Sequence, residues 1–236
     1  MPLFVAAFVA ACLTQPHFTP PQTWAMYFAS GPRIPLVGDA NADGFCDLIG
    51  VYKPGEAIID VALNGLGHKC LFHHAPRHHC MRGCRLACVG EFDGRPGADV
   101  ALLSSTGKLR IFSSWQGKHY RTLHQWLDRS ALGQARCMVA VRVQAGRAGG
   151  AARGDAGDEA GAPSSPDSTV LGLPGGHLVV VQAPEMKTGR RVMASPLTKL
   201  GGEILSLAAG DFDGDGAEDL VAAAGGRLWL IQGPLG

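Results

Sequence analysis

Three stretches of the chain superpose without a gap: VGDANADGFCDLIGV, VGEFDGRPGADVALL and AGDFDGDGAEDLVAA. A recurring unit constrains the fold more than composition does. Each copy is too small to bury its own apolar face and must stack on a neighbour. The last acidic residue of each copy is Asp47, Asp99 or Asp219, so the intervals are 52 and 120 residues. The wider interval predicts a fourth copy. Its strand pattern recurs as STVLGLPGGHLVVVQA, Ser168 to Ala183, preceded by ARCMVAVRVQ, Ala135 to Gln144. Where the acidic loop should lie, residues 145–167 are rich in Gly, Ala, Ser and Pro, and are expected to form a disordered surface loop. The RGD at Arg153 to Asp155 reads as a chance tripeptide of that biased composition rather than an adhesion signal.

Each copy consists of apolar or alternating runs of five to seven residues, separated by Gly-containing turns such as STGK and PGGH. YRTLHQWLDRSALGQ has some helical period but falls where a fourth strand is due. The chain is therefore predicted to be all-β, a propeller-like array of about four four-stranded blades. The predicted strands of blade one are IPLVG, DLIGVY, AIIDVAL and KCLFHH. Those of blade two are CRLACVG, DVALLS, KLRIFSS and HYRTLHQW, and those of blade three CMVAVRV, TVLGLP, HLVVVQ and RRVMASP. Blade four has ILSLAAG, DLVAAAG and RLWLIQ. TWAMYFAS, Thr23 to Ser30, is left without a blade, and as the fourth strand of the last blade it would close the ring. The alternatives are a fragment of a larger ring, or two chains sharing one. The expected organisation is a signal-like or flexible segment over 1–22 and a propeller domain over 23–236.

The acidic loops carry the chemistry. In DFDGDGAED the carboxylates fall at positions 1, 3, 5 and 9, Asp211, Asp213, Asp215 and Asp219. In DANADGFCD the same positions hold Asp39, Asn41, Asp43 and Asp47. Oxygen ligands at alternate positions of a tight loop converge on one point, and position 7, Phe45 or Ala217, can add a backbone carbonyl. Such a hard, flexible oxygen set suits Ca²⁺ better than Mg²⁺, and close carboxylates repel one another without a cation. An EF-hand requires Glu at position 12 and flanking helices. Position 12 is Gly50 or Ala222, and the flanks read as strands.

A D-x-[DN]-x-D-G-x-x-D-[LV] loop between two strands, repeated along the chain, resembles the FG-GAP/VCBS repeat of integrin-α-like β-propellers. The resemblance spans roughly Ile34 to Gln232. It is strong for the first and last copies, partial for the second, and a strand pattern alone for the third. It implies a Ca²⁺-binding role for Asp39, Asn41, Asp43 and Asp47, and for Asp211, Asp213, Asp215 and Asp219. The second copy departs: EFDGRPGAD keeps Glu91, Asp93 and Asp99 but has Arg95 at position 5. It is a degenerate metal loop whose guanidinium can stand in for the ion.

The rest of the sequence narrows the function by elimination. Net charge is +1 and charged residues make up 17%, which offers no field to attract nucleic acid or an anionic membrane surface. No apolar run reaches the length of a membrane span. MPLFVAAFVAACLTQP resembles a short signal peptide, and VAAC ending at Cys12 resembles a lipobox, although no Lys or Arg precedes it. An extracellular or cell-surface location is expected. HKCLFHHAPRHHCMRGCRLAC, His68 to Cys88, holds five of the nine histidines and four of the seven cysteines. That density invites a zinc or copper reading. However, Cys80, Cys84 and Cys88 are spaced by four, which on a strand is ~13 Å per step. Aligned with the last copy, Cys84 and Cys88 fall on one inner strand, expected on its same face as small buried hydrophobes. A Cys70–Cys80 disulfide is expected if the chain is exported. No nucleophile elbow, HExxH, phosphate loop or dinucleotide fingerprint is present. The favoured function is a calcium-binding, non-catalytic propeller module for a protein or glycan ligand. The alternatives are a polysaccharide lyase or hydrolase on the same scaffold, or a His/Cys transition-metal protein.

Overall fold

The computed structural model describes residues 34–52, 56–65, 71–74, 78–113, 121–128, 130–142, 167–182 and 194–233. The expected closing strand Thr23–Ser30, the signal-like segment, His68, Cys70 and residues 145–166 lie outside them. The described chain is all-β apart from two short 3-10 turns, Ser130–Gln134 and Pro174–Gly176. None of its helices is long and apolar enough to cross a membrane.

Four antiparallel sheets follow one another along the chain. The first contains β1 (Ile34–Gly38), β2 (Asp47–Tyr52), β3 (Glu56–Gly65), β4 (Leu71–His74) and β5 (His78–Arg82). The second is β6 (Cys84–Gly90), β7 (Asp99–Ser104), β8 (Lys108–Ser113) and β9 (Arg121–Asp128). The third is β10 (Cys137–Val141), β11 (Ser168–Leu173), β12 (His177–Val181) and β13 (Ala194–Lys199), and the fourth β14 (Ile204–Gly210), β15 (Asp219–Ala224) and β16 (Arg227–Ile231). The strands of the second, third and fourth sheets lie in sequence order, as do β1 to β4 of the first. Most strands pair with their neighbours in the chain, so local sequence suffices to build most of a blade.

The last strand of the third sheet is described as Ala194–Lys199, and the first four residues of the expected strand RRVMASP lie outside the described residues. The fourth place of the first sheet is filled twice: β4 pairs with the second half of β3 (Ala62 opposite His74) and β5 with its first half (Ile59 opposite His78). His73 and His74 therefore lie on β4, and His78, His79 and Cys80 on β5. The segment YRTLHQWLDRSALGQ divides into strand β9 and the first 3-10 turn.

The blades stack through their first strands, β1 on β6, β6 on β10 and β10 on β14. Alternation along each strand sends successive side chains to opposite neighbours. Val100 and Leu102 of β7 join Ile49, Val51, Ile59 and Val61 of the first sheet. Ala101 and Leu103, between and beyond them, join Leu171 and Val181 of the third. Val170 and Leu178 of the third sheet meet Leu220, Ala222 and Ile204 of the fourth. The core is thus three separate layers, each shared by two blades. A strand buried on both faces reads as a continuous apolar run, as DVALLS does, fully buried throughout.

One expectation is corrected here. Cys84 and Cys88 do not share a face: Cys84 packs in the layer with the first sheet and Cys88 in the layer with the third. A β-bulge between Cys84 and Leu86 inserts one residue and reverses the parity of the strand. The fourth sheet has the same irregularity between Ile204 and Ser206. The displaced residues point outward. Arg85 donates from Nη1 to the Gly133 carbonyl at 2.8 Å, and Leu205 is 69% exposed.

Candidate metal loops

Each acidic loop joins the first strand of a sheet to the second, and its ends are set by the strand register: Gly38 opposite Asp47, Gly90 opposite Asp99, Gly210 opposite Asp219. In the last loop, Gly214 and Gly216 adopt positive φ (80° and 84°), the left-handed conformation that glycine tolerates. The tight turn aims backbone N–H groups inward at the carboxylates. Asp211 accepts from Gly214 N through Oδ1 (2.7 Å) and from Gly216 N through Oδ2 (3.0 Å). Asp213 accepts from Asp215 N (3.2 Å) and, through its other oxygen, from the side-chain amide of Gln232 (2.9 Å). Asp215 accepts from Ala217 N at 2.7 Å. These bonds bring one oxygen each of Asp211, Asp213 and Asp215 within 4.8 Å of one another on an exposed loop.

The first loop repeats most of the arrangement, with the bond from position 4 replaced by one from position 5. Asp39 accepts from Asp43 N (3.1 Å) and Gly44 N (2.8 Å), Asn41 Oδ1 accepts from Asp43 N (3.2 Å), and Asp43 accepts from Phe45 N (2.9 Å). The Asn41 amide also donates to Asp43 Oδ2 at 2.9 Å. Ala42 takes the position of Gly214 at φ 60°, a left-handed residue with a Cβ that costs roughly 1–2 kcal/mol. In the second loop Asp93 is held as Asp213 is, accepting from Arg95 N (2.8 Å) and, through its other oxygen, from the Ser113 hydroxyl (2.6 Å).

The aspartate at position 9 lies apart from the exposed oxygens. Asp47, Asp99 and Asp219 are all fully buried. Each accepts the backbone N–H of position 2: Ala40 (2.8 Å), Phe92 (2.8 Å) and Phe212 (3.1 Å). Asp99 takes Asp93 N as well (3.1 Å), and Asp219 takes Gly233 N through its second oxygen (2.7 Å). Ala217 is buried beside the last loop, and Phe45 is 41% exposed at the first.

A further set of loop residues is not apparent from the acidic spacing. The residue before position 9 reaches back to the previous blade. Ala98 N donates to the Asp39 carbonyl. Asp167 N donates to the Glu91 carbonyl (2.7 Å), while Asp167 Oδ2 accepts from Glu91 N (2.8 Å). Glu218 accepts from Arg142 N (2.7 Å). Asp167, the last residue of the expected disordered insert, is therefore fixed. Burial pushes its carboxyl above the usual range, and the Glu91 N–H and Arg142 draw it part of the way back. Burial, with a smaller push from Asp167, raises the Cys88 thiol far above its ordinary value. Burial also raises Cys137, which the Gly172 backbone opposes. Cys46, Cys84, Cys88 and Cys137 are free thiols.

These features define an all-β repeat protein whose first, second and fourth blades each hang an acidic loop between their first two strands. Residues 205–231, which run from β14 to β16 through the last loop, match the FG-GAP repeat family. The chain thus carries an FG-GAP repeat. No curated protein matches it. Among solved structures it is similar to a crystal structure of BBS1N in complex with ARL6DN soaked with mercury, at 13% identity, covering 86% of this chain and 58% of that chain with a TM-score of 0.46. The same complex soaked with lead matches at 12% identity, with the same coverage and TM-score. The chain spans less than two thirds of those chains' length.

Proposed function

We propose that the protein is a calcium-stabilised, non-catalytic propeller module that presents its loops to a protein or glycan ligand. The observation that carries the calcium reading is the convergence of Asp211, Asp213 and Asp215 in the segment that matches the FG-GAP repeat. Three carboxylate oxygens held by backbone N–H groups are a hard, oxygen-only donor set, which fits Ca²⁺. The first loop offers a parallel site at Asp39, Asn41 and Asp43, oriented by a similar set of backbone hydrogen bonds. The ion's part is structural. It cancels the repulsion of the clustered charges and stabilises the folded chain by RT ln(1 + [L]/Kd), about 2.7 kcal/mol per site at a hundredfold excess over Kd. An exposed loop of this kind is suited to surroundings rich in calcium, in keeping with an extracellular or cell-surface location.

Elemental analysis and melting in EDTA or added Ca²⁺ test this reading. About two calcium ions per chain and a lower melt in EDTA are expected. The double variant Asp213→Ala/Asp215→Ala should lose one ion and half of the calcium-dependent shift. A calcium-free protein whose melt ignores both EDTA and Ca²⁺ overturns the proposal.

A further inference from the structure

The three junctions between blades share one construction. At each, the outer row of one sheet packs on the next: Ala101, Leu103, Leu109 and Ile111 are at most 1% exposed in the second sheet, and Val170, Leu178 and Val180 at most 5% in the third. The strand registers make Val221, Leu228 and Leu230 the corresponding residues of the fourth sheet. There Leu228 is 79% and Leu230 52% exposed, beside the exposed Leu205. None of these residues is charged, and a row of large apolar side chains open to water marks an interaction surface.

The first strands show what fits it. Gly38 ends β1 where a Cβ would come within 2.7 Å of Val89 and 2.8 Å of Ala98 in the next blade. Gly90 ends β6 where a Cβ would come within 2.6 Å of Ala140. Glycine lets the next inner strand approach at these two junctions; at the third, Val141 holds the same register. Gly210 ends β14 in the same register, yet a Cβ there would meet only the ring of its own Phe212 at 3.6 Å or beyond. The seat is present without its occupant. The residue that fills such a seat is the one paired with the second residue of the following strand: Val89 opposite Val100, Ala140 opposite Thr169. In the first blade that residue is Val37, opposite Leu48, and Val37 is 59% exposed. Among the described residues, β14 does not pack on β1 as each earlier first strand packs on the next.

We propose that a second copy of the chain supplies the missing neighbour, its first blade docking on the fourth blade of its partner with Val37 seated at Gly210. The contact continues the series of junctions already present in each chain. It is heterologous, head to tail. Made reciprocally, it sets the four described blades of one copy against the four of the other, eight in all, within the range of about four to eight blades that propellers adopt.

Light scattering and sedimentation of the full chain over a micromolar concentration series test the proposal. Twice the chain mass is expected. Gly210→Leu and Val37→Glu should each shift the protein to the chain mass while keeping its circular dichroism and melt. Gly210→Leu is tolerated within one chain because only Phe212 lies near, and Val37 is mostly exposed. An equimolar mixture of the two variants retains one intact junction, Val37 of the first variant on Gly210 of the second, and should recover twice the chain mass. A wild-type chain mass at every concentration overturns the proposal and points to coverage by the chain's own N-terminal residues or by a different protein. A dimer insensitive to both variants, or variants that do not associate when mixed, overturns it equally.

Discussion

Replacing Asp219 with alanine separates the two parts an acidic loop can play. The carboxylate is fully buried and accepts two backbone N–H groups, from Phe212 at 3.1 Å and from Gly233 at 2.7 Å. Alanine leaves both donors without an acceptor. An unsatisfied buried donor costs about 1–3 kcal/mol. Both bonds are only part-buried, so the lower half of that range applies, and the pair costs about 2–4 kcal/mol. For a chain of this size each kcal/mol lowers Tm by about 2–4 °C, giving an expected drop of about 4–16 °C. The sheet itself does not require the carboxylate: Ser168 holds the same place in the third blade, where the register is kept with Val141 opposite Ser168. The loss therefore comes from the loop and from the tether to Gly233. Thermal melting in EDTA is the assay, because these bonds exist without a metal. If Asp219→Ala and wild type melt together in EDTA and differ only with calcium, the hydrogen-bond account is wrong and position 9 acts through the ion alone.

Gly90→Val should destabilise by at least about 1–3 kcal/mol of overpacking, because its Cβ would lie 2.6 Å from Ala140; chemical denaturation checks this, and a wild-type midpoint would show that the blades separate freely. Asp167 has a raised pKa in the folded chain, so the folded state binds the proton more readily than the unfolded one, and this residue's contribution to stability falls as pH rises from the ordinary carboxylate value through its folded value. Melting as a function of pH should show that slope in wild type and lose it in Asp167→Asn, whose amide oxygen can still accept from Glu91 N. In the native protein, mass-spectrometric mapping after brief alkylation should find Cys46 modified and Cys84 and Cys88 protected, since Cys46 is exposed and the other two are buried, and burial holds Cys88 in its unreactive thiol form.

The repeat was legible because most strands pair with their neighbours in the chain. The alternation in KLRIFS and the glycines of the STGK turn are local signals, and they mark β8 and its turn correctly. The loop residues were legible for the same reason: Asp211, Asp213 and Asp215 converge within five residues. What local pattern could not supply was parity across a bulge. Nothing in CRLACVG marks Arg85 as an extra residue, so counting in twos put Cys84 and Cys88 on one face when the bulge puts them in different layers. The split partner of β3 is similar, because whether β5 continues the edge begun by β4 depends on what that edge leaves unpaired. The clasp from Asp167 to Glu91 joins residues 76 apart. Its only sequence trace is an acidic residue before position 9, as in Glu218–Asp219.

By itself the sequence determined the all-β class, the number of repeated units and the placement of two oxygen-rich loops, since strand period, turn chemistry and ligand spacing all act over a few residues. Only the tertiary structure decided which neighbour each side chain meets, which carboxylates lie open and which are buried as backbone acceptors, and which glycine seats are filled. Those depend on stacking one sheet against the next. There a shift of one residue sends a side chain to the opposite layer, and among the described residues the fourth blade leaves open the apolar face that its predecessors bury.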